Sequence, residues 1–340
     1  MKKKIVVSSF PAPIEENPYQ KLLYESLKEF GVELLAENIF SLGKLWSKRK
    51  KVDIIHFHWI FFQVDTLVGF LKFMIKLIFA KLLGYRIIWT AHNIESHEQK
   101  LTDTWGKYFL IHLSDAIITH GKDPSDILKS RFRVHEKIHV IPHGNYIGYY
   151  PNKVVRKEAR EQLGIAEGEF VYLYLGLIRE YKGVLNLIES FKKVGDDSTL
   201  YIVGKPFTEE MRNTIERSSK DNEKIRLNLN YVPDEDIQYY FNAADVAVLP
   251  FTKVTTSGTL ILAMSFGKPV ISARKGVLPE IVGLEIGILI DRPEELTKAL
   301  KDIRQKNLKK MGENAYKKAE GFDWKNIAKK HRKIYEEITR

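Results

Sequence analysis

Phe170-Val171-Tyr172-Leu173-Tyr174-Leu175-Gly176-Leu177-Ile178-Arg179-Glu180-Tyr181-Lys182-Gly183 joins an unbroken apolar run to a charged loop bounded by glycines. A short, continuous apolar run is the pattern of a strand buried on both faces, as in a parallel sheet. Glycines at 176 and 183 let the backbone come close to a ligand, and a helix opening after Gly183 offers unpaired N–H groups. Arg179 and Lys182 place two cations where a diphosphate would sit. The same residues also suit a plain helix-entry turn with solvated charges.

Outward from this stretch, apolar runs alternate with amphipathic helical stretches. Before it lie Ile5–Phe10, Val32–Leu35, Asp53–His58, Arg86–Thr90, Ala116–Thr119 and Ile138–Ile141. After it lie Thr199–Gly204, Ile225–Leu227, Val246–Pro250, Lys268–Ser272 and Gly287–Ile290. Strands separated by helices predict an α/β chain of parallel sheets covered on both faces. At 340 residues the chain suits two such Rossmann-like, doubly wound domains, expected over 1–150 and 151–320 and facing a cleft. Residues 146–166 read as a polar connector, and 321–340 as a long amphipathic helix that closes the chain.

Composition narrows the chemistry. Hydrophobic residues make up 44% and charged residues 29%, which excludes a disordered chain, and the lack of cysteine excludes a disulfide scaffold and a cysteine nucleophile. Met1-Lys2-Lys3-Lys4 runs straight into a strand pattern, so no secretory signal is expected. A net charge of +11 calls for an anionic partner. Lys44, Lys48, Arg49, Lys50 and Lys51 form a dense cluster that reads as a solvated loop or as a contact with an anionic membrane surface. No nucleic-acid module accompanies it, so no nucleic-acid partner is expected. Thr66–Leu83 is strongly apolar yet carries Lys72, Lys76 and Lys81, which argues against a spanning helix. It reads as a buried helix or as an interfacial one, and contact with a bilayer is the expectation. The chain is thus expected in the cytoplasm, peripheral to the inner face of the cytoplasmic membrane.

A second loop, Thr255-Thr256-Ser257-Gly258-Thr259, stands between Val246–Pro250 and an apolar helix. Hydroxyls and a glycine at a helix start make an anion cradle, and there are more hydroxyls here than one cap requires. Gly176–Gly183, Val203-Gly204, Tyr231–Asp236, Ala263–Ile271 and Gly276–Glu280 follow one another in the order of a GT-B glycosyltransferase. The chain resembles glycosyltransferase family 4, the "group 1" glycosyltransferases. Asp53–His56, Thr90–Asn93, Ile141–Gly144, and Phe322-Asp323-Trp324 with Tyr335 fit the same family.

The resemblance implies a donor site in the second domain, an acceptor site in the first, and a C-terminal helix over 321–340 that packs back on the first domain. Arg179 and Lys182, with Ser257, Gly258 and Thr259, would hold the donor diphosphate in place of a metal. Gly176, Tyr231, Val232, Thr256 and Glu280 would meet the base and sugar. His92 and Glu95 are the catalytic candidates, and Asn17, His58, Asn93 and His143 would line the acceptor cleft. No metal and no cofactor is expected. Asp234-Glu235-Asp236 reads as a cap for the following helix rather than a metal site. The family usually has two glutamates eight positions apart; Val254 and Leu262 stand there in this chain. That puts a retaining outcome in doubt, and inversion needs a general base for which Glu95, Glu98 and His92 are candidates. A glycine-rich turn after the first strand is replaced by Ser8-Ser9-Phe10-Pro11. The expected activity is sugar transfer from a nucleoside-diphosphate donor, GDP-mannose for choice, to a glycan or a lipid-linked (polyprenyl) acceptor in polysaccharide assembly. The alternatives are a nucleotide-sugar epimerase of the same architecture and a non-catalytic binding subunit.

Overall fold

Among the described residues, twelve strands pair in parallel to form two six-stranded sheets. The computed structural model describes residues 4–13, 18–59, 66–94, 101–195 and 197–340, with the backbone alone for 101–103. Chain contacts divide it into two units, one of residues 1–144 with 322–340 and one of residues 145–321.

The first unit runs β1 (Ile5–Phe10), α1 (Pro18–Lys28), β2 (Val32–Leu35), α2 (Leu42–Lys48), β3 (Ile54–Phe57), α3 (Leu67–Leu82), β4 (Arg86–Thr90), α4 (Leu101–Leu113), β5 (Ala116–Thr119), α5 (Lys122–Phe132) and β6 (Ile138–Val140). Its sheet order is β2-β1-β3-β4-β5-β6. Ile55, Phe57, Ile87 and Ile117 face a helical layer that supplies Leu45, Phe73, Leu77 and Leu110. On the opposite face, Ile5, Val7, Ile54 and Ile88 share a core with Tyr19, Leu23 and Leu27. Burying each of these large side chains contributes about 1.5–3 kcal/mol.

The second unit runs α6 (Arg156–Leu163), β7 (Val171–Leu175), α7 (Val184–Lys192), β8 (Thr199–Val203), α8 (Glu209–Ser219), β9 (Ile225–Asn228), α9 (Ile237–Ala243), β10 (Val246–Leu249), α10 (Gly258–Ser265), β11 (Val270–Ala273), α11 (Leu278–Ile281), β12 (Gly287–Ile290), α12 (Leu296–Ile303) and α13 (Leu308–Glu320). The sheet order is β12-β11-β10-β7-β8-β9. Strand order reverses between β7 and β10 here, and between β1 and β3 in the first unit. Open α/β sheets bind ligands at the carboxyl ends of the strands flanking such a reversal.

The last helix, α14 (Trp324–Ile338), belongs to the first unit. Asp323 caps it by accepting the Asn326 N–H at 2.9 Å, and Trp324, Ile327, Ile334 and Tyr335 enter the core beside α1.

Three expectations need correction. The first unit ends at Gly144 rather than near residue 150. The Asn145 side chain donates to the Ala319 carbonyl at 2.8 Å and the Tyr146 N–H to Ser265 Oγ at 3.0 Å, which tie the chain into the second unit. Residues 146–166 are not a free connector either. They contain α6, and the Lys153 and Val154 N–H groups donate to Gln238 Oε1 on α9. Finally, α9 starts with Asp236 in helical conformation and without a side-chain cap bond, so the acidic triplet does not cap it through that residue.

Candidate active site

In the second unit, loops from four strand ends converge at the β7/β10 reversal. Thr252 donates through both N–H and hydroxyl to the Tyr181 carbonyl, at 2.8 and 3.2 Å. A methyl group on Gly183 would lie 2.0 Å from the Pro250 carbonyl oxygen, so the β7 and β10 loops touch backbone to backbone. A methyl group on Gly176 would reach within 3.3 Å of Thr259 Oγ1, so the first loop lies beside the start of α10. The β8 loop pairs with the same stretch through Ile178 N–H to Lys205 O at 3.0 Å and Phe207 N–H to Ile178 O at 2.9 Å. From the β11 loop, Lys275 Nζ donates to the Thr252 carbonyl at 2.8 Å and Val277 N–H to that of Thr255 at 3.0 Å.

Arg179 and Lys182 stand on this composite surface, Arg179 just before and Lys182 at the end of a single 3-10 turn, Glu180–Lys182. The Arg179 guanidinium lies 4.1 Å above the Phe207 ring, and its buried Nε has no hydrogen-bond partner. Lys182 Nζ lies 4.4 Å from the Phe251 ring centroid. Neither cation has a carboxylate partner among the described residues. Burial, with Arg179 as a second cause, pushes the Lys182 ammonium down to about 8. Two unneutralised cations on a half-buried surface are costly, and a dianion binding there removes the cost.

The hydroxyl loop divides its work. Ser257 is buried and accepts the Leu260 N–H at 3.1 Å, so its oxygen caps α10. Gly258 and Thr259 are half-exposed, and as the first residues of the helix their N–H groups have no intrahelical acceptor. Thr256 is half-exposed as well, Glu280 is exposed, Tyr231 is exposed after β9, and Val232 is half-buried. Leu262 is buried in α10 and Val254 half-buried, so neither of these positions offers a carboxylate.

In the first unit, histidines follow four neighbouring strands at their carboxyl ends: His58 after β3, His92 after β4, His120 after β5 and His143 after β6. His56 on β3 and His331 on α14 lie behind them, and all six are buried. Burial pushes His56, His58 and His92 well below the usual histidine range, His120 down to about 3, and His143 and His331 down to about 4. Neighbouring imidazoles add like-charge repulsion to the first four.

These neutral rings form a chain with a fixed direction, because a neutral imidazole has one N–H and a carbonyl only accepts. His120 Nδ1 donates to the Ile141 carbonyl at 3.0 Å, leaving Nε2 to accept from His92 Nδ1 at 3.1 Å. His92 Nε2 then accepts from His58 Nδ1 at 3.2 Å, and His58 Nε2 accepts the Tyr24 hydroxyl proton at 3.2 Å. Tyr24 also meets His56 Nδ1 at 3.1 Å, while His56 Nε2 meets Thr90 Oγ1 at 2.7 Å. Trp59 stacks on His92 with ring centroids 4.5 Å apart.

His92 therefore has both ring nitrogens engaged and a weakly basic ring, which argues against its service as a general base in this arrangement. His58 is likewise engaged at both nitrogens, and His143 donates from Nδ1 to the Gly144 carbonyl at 2.7 Å. Asn93 is half-exposed beside His92. Asn17, Glu95 and Glu98 lie outside the described residues. After β1, Gln20 Nε2 bridges Ser9 Oγ at 2.7 Å and the Pro11 carbonyl at 3.0 Å. His120, His331 and Tyr24 were not among the sequence candidates. The Thr119-His120 pair at a strand end repeats the pattern of Phe57-His58, and that repetition was the available signal.

Residues 5–145 match the family Glycosyltransferase Family 4, and residues 155–318 match Glycosyl transferases group 1. A GDP-mannose:glycolipid 4-beta-D-mannosyltransferase of Xanthomonas campestris is 27% identical over 270 residues, spanning 75% of this chain and 69% of that protein. Among solved structures, a sucrose-phosphate synthase from Thermosynechococcus elongatus superposes with a TM-score of 0.80 at 16% identity, covering 98% of this chain and 99% of that one. Anabaena HepE in complex with UDP superposes at 0.78 with 17% identity, covering 98% and 100%. With its two halves matched in chain order and both sheets doubly wound, the chain belongs to the GT-B glycosyltransferases of the family 4 and group 1 kind.

Proposed function

We propose that the second unit binds a nucleoside-diphosphate sugar, GDP-mannose by preference, and that the sugar passes to a glycan or lipid-linked acceptor held at the carboxyl edge of the first unit's sheet. The observation that carries this reading is the pair of cations, Arg179 and Lys182, left without carboxylate partners where four loops converge. They supply the charge that a divalent ion would otherwise bring to a departing diphosphate, and the Gly258 and Thr259 N–H groups add fixed dipoles. Fixed donors of this kind stabilise developing charge without reorganising. Ser257 contributes by setting the start of α10. Gly176, Thr256 and Glu280 are assigned to the sugar, and Tyr231 and Val232 to the base. The preference for GDP-mannose rests on the Xanthomonas relative, whose name specifies that donor and a glycolipid acceptor.

In the first unit, His58, His92, Asn93 and His143 are assigned to the acceptor wall. The hydrogen-bonded imidazole row supports positioning by His92 rather than proton abstraction, and the base is sought in the 95–100 segment, with Glu95 first. Thermal shift with GDP, UDP, ADP, GDP-mannose and UDP-glucose in EDTA tests the reading. Selective stabilisation by guanine nucleotides is expected, together with its loss in Arg179→Ala. Stabilisation only when a divalent ion is restored would refute the metal-free site, and stabilisation by UDP-glucose alone would refute the donor.

A further inference from the structure

Of the helices covering the first sheet, α3 is apolar on both sides. Phe73, Met74, Leu77 and Ala80 enter the core, while Leu67, Leu71, Ile75, Ile78 and Leu82 point outward. Leu67 is 63% exposed, Ile75 57% and Leu82 79%. At about 100° per residue, the five outward side chains fall within an arc of about 80°. Lys72 lies about 60° beyond this stripe on one side and Lys81 about 40° beyond it on the other. Both helices packed beside α3 also expose large apolar side chains. Leu42 and Trp46 are exposed one turn apart on α2, and Trp105 and Tyr108 are exposed on α4. The α3–α4 seam is closed by Phe70 against Phe109, at 6.2 Å.

The border is strongly basic. Lys44 and Lys48 share Glu37, and Lys81 pairs with Asp115 at 2.7 Å. Arg49, Lys50, Lys51, Lys72 and Lys76 have no carboxylate partner among the described residues, and Arg49 packs over Trp46 at 4.0 Å.

We infer that the outer face of α2, α3 and α4 docks on an anionic lipid bilayer, with α3 lying in the plane of the headgroups. Three observations choose this occupant. A helix of sixteen residues is about 24 Å long, too short to span a bilayer, and no helix among the described residues is long and apolar enough to cross one. Leucine and isoleucine in the centre, tryptophan and tyrosine beside them and lysines at the border match the depth profile of an interface. A second copy of this chain seated on the same face by two-fold symmetry would bring its cations against these, so the charge favours lipid phosphate over self-association.

Cosedimentation of the full chain with vesicles tests the inference, using phosphatidylcholine alone or with about 30% phosphatidylglycerol. The expected result is at least about tenfold stronger binding to the anionic vesicles, weakened by salt. A triple variant, Leu71→Asp, Ile75→Asp and Ile78→Asp, changes only exposed positions and loses about tenfold or more of that binding. Lys50→Glu, Lys51→Glu and Lys72→Glu together do the same. The inference is overturned if the parent stays in the supernatant with both vesicles, or if the aspartate variant binds as the parent does. It is also overturned if the parent sediments as a dimer that the aspartate variant dissolves. The vesicles contain no nucleotide or acceptor, so the result is independent of the donor and acceptor readings.

Discussion

Lys182 offers the sharpest test of the proposed diphosphate site, because its charge is already precarious in the free protein. Burial and the neighbouring Arg179 hold its ammonium at about 8, below the ordinary lysine value. A diphosphate binds the charged form, so binding raises that value and draws in a proton. Affinity is full below pH 8 and declines as the pH rises through it. The fraction of free protein carrying the charge is about 0.9 at pH 7, half at pH 8 and about 0.1 at pH 9, so the dissociation constant rises about tenfold from pH 7 to 9, or about 1.4 kcal/mol. Titration calorimetry with GDP-mannose reads this twice, as the dissociation constant and as the protons taken up, about half a proton per ligand at pH 8. Lys182→Arg keeps its charge throughout and flattens the profile, and it also controls for ionisation of the base. A parent constant that does not move between pH 7 and 9, or an equal slope in Lys182→Arg, would refute the reasoning. Arg179→Ala makes an opposite pair of changes. It weakens binding by about 1.5–3 kcal/mol, the scale of a charged hydrogen bond, and moves the lysine midpoint upward by removing the like charge.

Other outcomes follow from the packing. Gly183 and Gly204 have φ of 73° and 137°, and a methyl group on either would lie 2.0 Å from a backbone oxygen. Gly183→Ala and Gly204→Ala each should cost about 2 kcal/mol or more, read as a lowered urea midpoint. Tyr24→Phe strands the His58 Nε2 lone pair and should cost about 1–3 kcal/mol by the same measure; parent-like stability would mean that the imidazole chain does not run in the direction deduced. All ten histidines lie in the first unit. Their buried rings have folded values below the unfolded 6.5, so the unfolded chain binds more protons and stability falls as pH drops from 6.5 towards 4. His120, His143 and His331 together remove about 4 kcal/mol per pH unit, and urea curves at pH 7, 6 and 5 should show this.

The sequence exposes the sheets well because doubly buried parallel strands must be continuous apolar runs, and Val246–Leu249 or Ile5–Phe10 can be little else. The loops at 176–183 and 255–259 were legible for a related reason: glycine, hydroxyl and cation each have a local backbone role. What stayed hidden was set by partners far along the chain. Ser257 reads as one hydroxyl among four, yet only the geometry of α10 makes it the cap. His120 and His331 look like ordinary core residues until strand order brings the β3, β4 and β5 ends side by side. Tyr335 meets His56 at 2.9 Å across 279 residues, a pairing no local pattern could announce. Periodicity also failed at α3, where apolar residues on both faces erase the contrast that would separate core from surface. At 146–166 polarity suggested a linker, but α6 is a helix whose buried Arg160 and Ala159 serve the second unit.

The return of α14 to the first unit bears on how the chain is made. A ribosome delivers residues 1–144 first, and the α2–α4 side of the sheet can close at once, since its core draws on no later segment. The opposite face cannot. Ile5, Val7, Leu23 and Ile88 wait there for Trp324, Ile327 and Tyr335, which begin about 180 residues beyond Gly144. The second unit is contiguous and can finish before the first, although it is synthesised after it. During that interval the nascent chain leaves open the part of that apolar face beside α1 which α14 later covers, a natural surface for a chaperone. Truncation near residue 322 would make that temporary state permanent.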